Sequence, residues 1–265
     1  MRNSVLVPEE RARLSGTSLK IIACVSMLIS HIIASGVWIQ TTGLLPVKWE
    51  TVSALYTTGS ILQLTAGRIA FPIFGFLIVE GAQKTHNKKR YLDWLGIGVL
   101  VSEIPFDLAL FGTLHDEQHQ SVYATLMLAL MAIFSIQEAE KMEQKWKRWL
   151  CTILLTAFFS AVAYFLKTDY GETGVLYIIL LYLLRNTYVE VRFGVALTVL
   201  VAGIGAYEAG AFLAAPLLLF YDGTRGRCNT EWGKLLFYVF YPTHLILLYV
   251  ISRGMLPALT EILSR

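Results

Sequence analysis

His31, Arg68 and Glu103 lie in apolar runs that have no ordinary use for such side chains. An imidazole can take and return a proton or carry an acyl group. A guanidinium can hold a developing negative charge, and a carboxylate can orient either one. Arg68 lies in LTAGRIAFPIFGFLIVEG, residues 64–81, a run whose other ionisable residue is Glu80. An ionised group deep in a bilayer costs at least ~2.5–3.5 kcal/mol, and a guanidinium cannot escape by losing its proton. Arg68 must therefore face the bundle interior or water, with a partner.

Residue counting puts the three groups at one level. From the inner boundary, His31 comes about 17 Å up the first helix, Glu103 about 18 Å up the third, and Arg68 at about 20 Å in the second. Glu103 is the expected partner of Arg68, and Asp107, at i+4, lies on the same face one turn further out. Pro72, Pro105 and Pro242 have no N–H, which frees the carbonyls of Arg68, Val101 and Tyr238. Such carbonyls are tolerated in a membrane where they line a cavity or meet a neighbouring helix. Gly75 lies on the Arg68 face, and Cys24, Met27, His31, Ala34 and Ser35 form a small, weakly polar stripe on the first helix. His244, in FYPTHL, offers a second polar wall. Glu80, beside Gly81 and the basic run KTHNKKR, invites an anionic ligand. Each also has a plainer reading: a structural ion pair for Arg68 and Glu103, a helix contact for either histidine, and orientation alone for the basic run. His86, His115 and His119 read as surface loop residues.

The elements that must position these groups are membrane helices. The chain has 265 residues, 55% hydrophobic and 15% charged, with mean hydropathy +0.58. A soluble domain carries about 25% charged residues. The expected fold is an all-α integral membrane protein of nine hydrophobic helices in one bundle: Leu19–Ile39, Ile61–Ala82, Tyr91–Gly112, Ser121–Gln137, Trp149–Leu166, Gly171–Leu184, Phe193–Ala206, Ala209–Tyr221 and Leu235–Ser252. The seventh and eighth are short and read either as spans or as a re-entrant hairpin. With the N-terminus cytoplasmic and the C-terminus outside, the inner segments hold 17 Lys and Arg and the outer ones four, a strong positive-inside signal. The expected divisions are a cytoplasmic segment 1–18, a membrane domain 19–252 and a short tail 253–265. The polar first 20 residues, followed by a long apolar run, do not read as a cleavable signal. Nothing resembles a nucleic-acid-binding domain or a phosphate loop. Cys24, Cys151 and Cys228 are spaced neither for a disulfide nor for a metal site, and no metal is expected.

GRIAFPIFGFLIVEG, followed by KTHNKKRYLDWL and SEIPFDLALFG, closely resembles the TraX family. So do LKIIACVSMLISHI, DYGETGVLYI, PLLLFYDGTRG and FYVFYPTHLILLY, which extend the likeness from about residue 14 to 250. The resemblance implies a conjugation-linked protein of the bacterial cytoplasmic membrane, akin to membrane acyltransferases that draw on cytoplasmic acetyl-CoA. It places the catalytic imidazole at His31 and the membrane guanidinium at Arg68. It puts carboxylates at Glu80, Glu103 and Asp107, and a last-helix imidazole at His244. In the family an acidic residue commonly precedes the first-helix histidine. Here Ser30 does, which can hydrogen-bond but carries no charge, so either Glu103 takes that part or the activity differs.

The expected mechanism is acetyl transfer across the membrane to an amine or hydroxyl of a peptide or saccharide acceptor. The CoA nucleotide would meet Lys84, Lys88, Lys89 and Arg90, with Arg225 and Arg227. His31 would act as base or acyl carrier, Arg68 would hold the oxyanion, and Glu103 would orient one of them. Asp107, Tyr241, His244 and Glu80 would contact substrate. A small-solute transporter, suggested by short runs and helix prolines, and a non-catalytic pilus-assembly factor are the alternatives.

Overall fold

The first helix begins where Ser15 accepts a hydrogen bond from the Ser18 N–H, which opens α1 (Gly16–Ala34). The helix was expected to reach Ile39. It stops at Ala34 because Gly36 takes a left-handed φ of 78°, which turns the chain into a short α2 (Val37–Gly43). The computed structural model describes residues 13–45, 47–227 and 230–263. Most of the expected N-terminal segment 1–18, Cys228 and the last two residues of the expected tail lie outside the described residues.

The second expected helix, Ile61–Ala82, is part of a longer and broken element. α3 (Trp49–Leu64), a 3-10 turn at Ala66–Arg68 and α4 (Ala70–Lys84) make up a 36-residue apolar stretch, with the break at Thr65 (φ −115°, ψ −86°). The α3 sequence, rich in Thr and Ser, carries no clear helical pattern. Thr57, Thr58, Ser60 and Thr65 each donate their hydroxyl to the carbonyl four residues earlier, so these groups are satisfied within the helix. Pro72 falls in the first turn of α4, where its missing N–H costs nothing. It starts a helix here instead of kinking one.

The rest follows as α5 (Lys88–Leu110), α6 (Val122–Ala139), α7 (Lys145–Phe165), α8 (Gly171–Leu183) and α9 (Val189–Ile204). Gly205, at φ 123°, reverses the chain into a 3-10 segment (Ala206–Leu213) and α10 (Ala214–Leu219). α11 (Glu231–Tyr249) runs through a π-helical turn at Val250–Met255 into α12 (Leu256–Leu263), so the last helix extends well past the expected Ser252. Five of the helical stretches are long and apolar enough to cross a bilayer, and no strand occurs among the described residues. This is an all-helical membrane protein.

α4 lies at the centre, packed against α1, α6, α8 and α10 and buried along most of its length. Gly75 of α4 meets Tyr177 and Ile178 side chains of α8, and the buried Tyr177 hydroxyl donates to the Pro72 carbonyl. α7 is the least buried span and turns Ile153, Leu154 and Phe158 outward, the composition of a lipid-facing surface.

The loops gather at two ends. At one, the chain around Leu14 pairs with Phe220–Thr224, Lys88 with Glu138, and Arg185 with Glu140. This is the end to which the sequence assigns its excess of Lys and Arg, the basic end of the bundle. At the other, Gln120 pairs with Lys167, Asp116 with Asp107, and Arg253 lies against Gly112.

Candidate functional site

α1 and α11 bring His31 and His244 into direct contact, 213 residues apart in sequence. His31 Nδ1 lies 2.7 Å from His244 Nε2, and His244 Nδ1 lies 2.7 Å from the carbonyl oxygen of Phe240, one helical turn earlier. A carbonyl only accepts, so His244 carries its proton on Nδ1. In a neutral ring its Nε2 then accepts, so His31 donates from Nδ1. The Nε2 of His31 is left with a lone pair and no hydrogen. The two rings are nearly parallel, and Tyr241 packs edge-on against both. His244 is buried and His31 half-buried. The partner that orients His31 is therefore an imidazole, so neither Ser30 nor Glu103 takes that part.

Arg68 does not pair with Glu103. Its Nη1 lies 3.2 Å from Oε2 of Glu208, in the 3-10 segment after α9, whose side chain is wholly buried. The guanidinium also lies over the Tyr207 ring at 5.2 Å, and Asp169 and Tyr170, between α7 and α8, sit within its field. The expected pairing fails for a physical reason. Residue counting fixes height along a helix, whereas Glu103 sits on α5, which packs on α6 and α11 and points elsewhere. Glu103 Oε2 accepts from the N–H of Ser121, which tethers the start of α6. Asp107 Oδ2 accepts from the N–H of Asp116 and holds the following loop. Each carboxylate thus anchors a loop through one oxygen, while Glu103 Oε1 and Asp107 Oδ1 stay buried without a hydrogen-bond partner.

Arg68 and His31 are nonetheless neighbours through the residues that precede them. A Cβ on Gly67 would come within 3.3 Å of Ser30 Cβ, and Ser26 donates to the carbonyl of Ala66. On the far side of the break, Gly210 presses against Leu64 and Thr65. A Cβ there would stand 2.1 Å from the Leu64 carbonyl oxygen.

The basic end opens into a cavity of about 580 Å³. Lys20, Lys84, Arg90 and Arg225 contribute to its wall, together with His86 and Asn87, and Trp94, Tyr123 and Tyr238 line its interior. Lys88, Lys89 and Arg227, expected with them, do not line it; Lys88 instead pairs with Glu138 over the Phe134 ring. Lys84 is committed too. Its Nζ meets Glu80 Oε2 at 2.6 Å, the Tyr221 hydroxyl and the Gly223 carbonyl, and Arg225 donates to the Lys84 carbonyl. Glu80 is thus neutralised within this clamp. Tyr123 donates to the Tyr238 carbonyl, the one that Pro242 deprives of its helical donor. Tyr241 packs on Tyr123 at 5.1 Å and on His31 at 5.8 Å, so one layer of phenol rings separates cavity and histidine pair.

Glu208 was missed although it carries the same signal as Arg68: a lone charge between apolar runs. The expected helix ends left it in a two-residue gap. Asp169, Tyr123, Tyr238 and Lys20 gave no local signal, since only the packing brings them to the site. Among the described residues, Cys24 and Cys151 are free thiols and no cluster suited to a metal ion occurs.

Fold and site together define a helical membrane protein with a paired-imidazole centre above a cation-lined cavity. The TraX protein family matches residues 15–252, nearly the whole chain, and the chain belongs to that family. No curated protein and no solved structure gives a match.

Proposed function

We propose that this protein is a membrane acetyltransferase of the bacterial cytoplasmic membrane, linked to conjugation, which takes acetyl groups from acetyl-CoA and transfers them to an amine or hydroxyl. The observation that carries this reading is the hydrogen-bond chain from the Phe240 carbonyl through His244 to His31, which leaves His31 Nε2 as a free base. The cavity supports it. At about 580 Å³, open at the basic end and aromatic within, it suits a ligand with an anionic head and a slender arm. Lys20, Arg90 and Arg225 would meet phosphates, and the arm would run inward past Trp94 and part the Tyr123, Tyr238 and Tyr241 rings to bring its thioester to His31.

In this scheme His31 Nε2 takes the acceptor's proton as its nitrogen or oxygen attacks the thioester carbonyl. The imidazolium that forms is steadied through its Nδ1–H by His244, which leans on the Phe240 carbonyl. The proton then leaves with the thiol as the C–S bond breaks. His244 is a positioning residue for His31, the part a buried carboxylate plays in hydrolase triads. Arg68, answered by Glu208, shapes the wall beyond the histidines and is not assigned the oxyanion.

The test is transfer of labelled acetyl from acetyl-CoA in membranes carrying the full chain. His31→Ala, expressed and folded as the parent, is expected to lose at least about 100-fold of the activity. Undiminished transfer by that variant removes the proposal.

A further inference from the structure

The second cavity lies far from the histidines, where the basic-end tips of α6, α7 and α8 meet. Its volume is about 610 Å³, and its wall includes Glu140, Lys145, Arg148, Trp149, Thr152 and Arg185. Charge balance there is uneven. Glu140 is already saturated: Arg185 Nη2 reaches both its oxygens at 2.8 and 2.9 Å, and the Tyr182 hydroxyl donates to it at 2.9 Å. Lys145 and Arg148 have no ion pair among the described residues, and Arg148 Nε is buried without a hydrogen-bond partner. One Arg148 nitrogen donates to the Met142 carbonyl, which fixes the side chain but does not neutralise it.

The local sequence sharpens the point. α7 opens on Lys145–Trp146–Lys147–Arg148, with no acidic residue in its first turn and no side-chain cap. Three cations at the positive end of a helix oppose its dipole, an arrangement that costs stability unless an anion answers it. Trp146 and Trp149 are both about two-thirds exposed, as in interfacial aromatic belts. Directly along the helix from them run the outward Leu150, Ile153, Leu154 and Phe158. A phosphate at the cavity would therefore have acyl-chain surface beside it.

We propose that this cavity binds the phosphodiester headgroup of an anionic phospholipid, with its acyl chains laid along α7. Basic pockets between membrane helices on the cytoplasmic side are suited to such headgroups.

The full-length protein in detergent micelles is the material for the test. Added phosphatidylglycerol is expected to raise the unfolding midpoint by several degrees, because a ligand of the native state stabilises it. Phosphatidylcholine and inorganic phosphate at the same concentration are expected to leave it unchanged. In Lys145→Ala/Arg148→Gln the shift falls to the phosphatidylcholine level, whereas Lys89→Ala/Arg227→Ala keeps it. A full shift in the first double variant overturns the site, and a full shift from phosphate alone overturns the lipid as its occupant. Should the first variant not fold, the unaltered protein decides. Phosphatidylglycerol with brominated chains must quench tryptophan fluorescence more than brominated phosphatidylcholine, by a margin that Trp149→Phe reduces. Equal quenching by the two lipids rejects the proposal.

Discussion

Arg68 and Glu208 form an ion pair whose carboxylate is fully enclosed. Removing one member of such a pair leaves an uncompensated charge and costs about 3–5 kcal/mol, while removing both costs much less. Arg68→Gln alone is therefore expected to lower thermal stability strongly, and Arg68→Gln/Glu208→Gln to recover much of the loss. Additive losses in unfolding measurements would show that the two do not act as a pair. His31, Arg68 and His244 were all legible as single residues, because a polar group in an apolar run demands an explanation. Their partners were not. Sequence gives the depth of Glu103 and Arg68 but not the direction in which each side chain leaves its helix. The bond between His31 and His244 joins the two ends of the chain, and no local pattern records it.

The break at Thr65–Arg68 positions the guanidinium, and it survives because two glycines let other segments touch it. Gly67 receives α1 at Ser30, and Gly210 lets the Glu208 segment lie against the Leu64 carbonyl. A methyl at 210 would have to displace backbone, which does not yield as a flexible side chain does. Gly210→Ala should part the 3-10 segment from α3, loosen the Arg68–Glu208 pair and lower stability by the 1–3 kcal/mol typical of overpacking. Gly43→Ala, with open space around it, serves as the control. Unfolding midpoints that match for the two variants would contradict this packing. Long apolar elements such as α6 and α7 could be read within a few residues of their ends. α3 escaped because its Thr and Ser hydroxyls look like loop chemistry until they are seen bonding to their own helix. The break was visible only through Pro72, an ambiguous signal that fits a kink as well as a fresh start.

Across the whole molecule the basic loops converge on one end, yet their cations are not equivalent there. Lys20, Arg90 and Arg225 line the large cavity, whereas Lys88, Lys89 and Arg227 lie outside its wall. For acetyl transfer, Arg90→Ala/Arg225→Ala should raise the KM for acetyl-CoA about tenfold or more, with a KM that becomes less sensitive to salt. Lys89→Ala/Arg227→Ala should leave it near the parent value. Equal effects of the two double variants on KM would point to diffuse attraction instead of a seat for phosphates. The layer formed by Tyr123, Tyr238 and Tyr241 has a consequence for the cell as well. A bilayer that stores energy as a proton gradient cannot tolerate a continuous file of water from one face to the other. A mid-depth base is safe only where that file is interrupted, and these three rings stand between the histidine pair and the cavity at the basic end. On the proposed reading, hydrogen ions would cross this level only as passengers of a chemical turnover, and the membrane would keep its charge between turnovers.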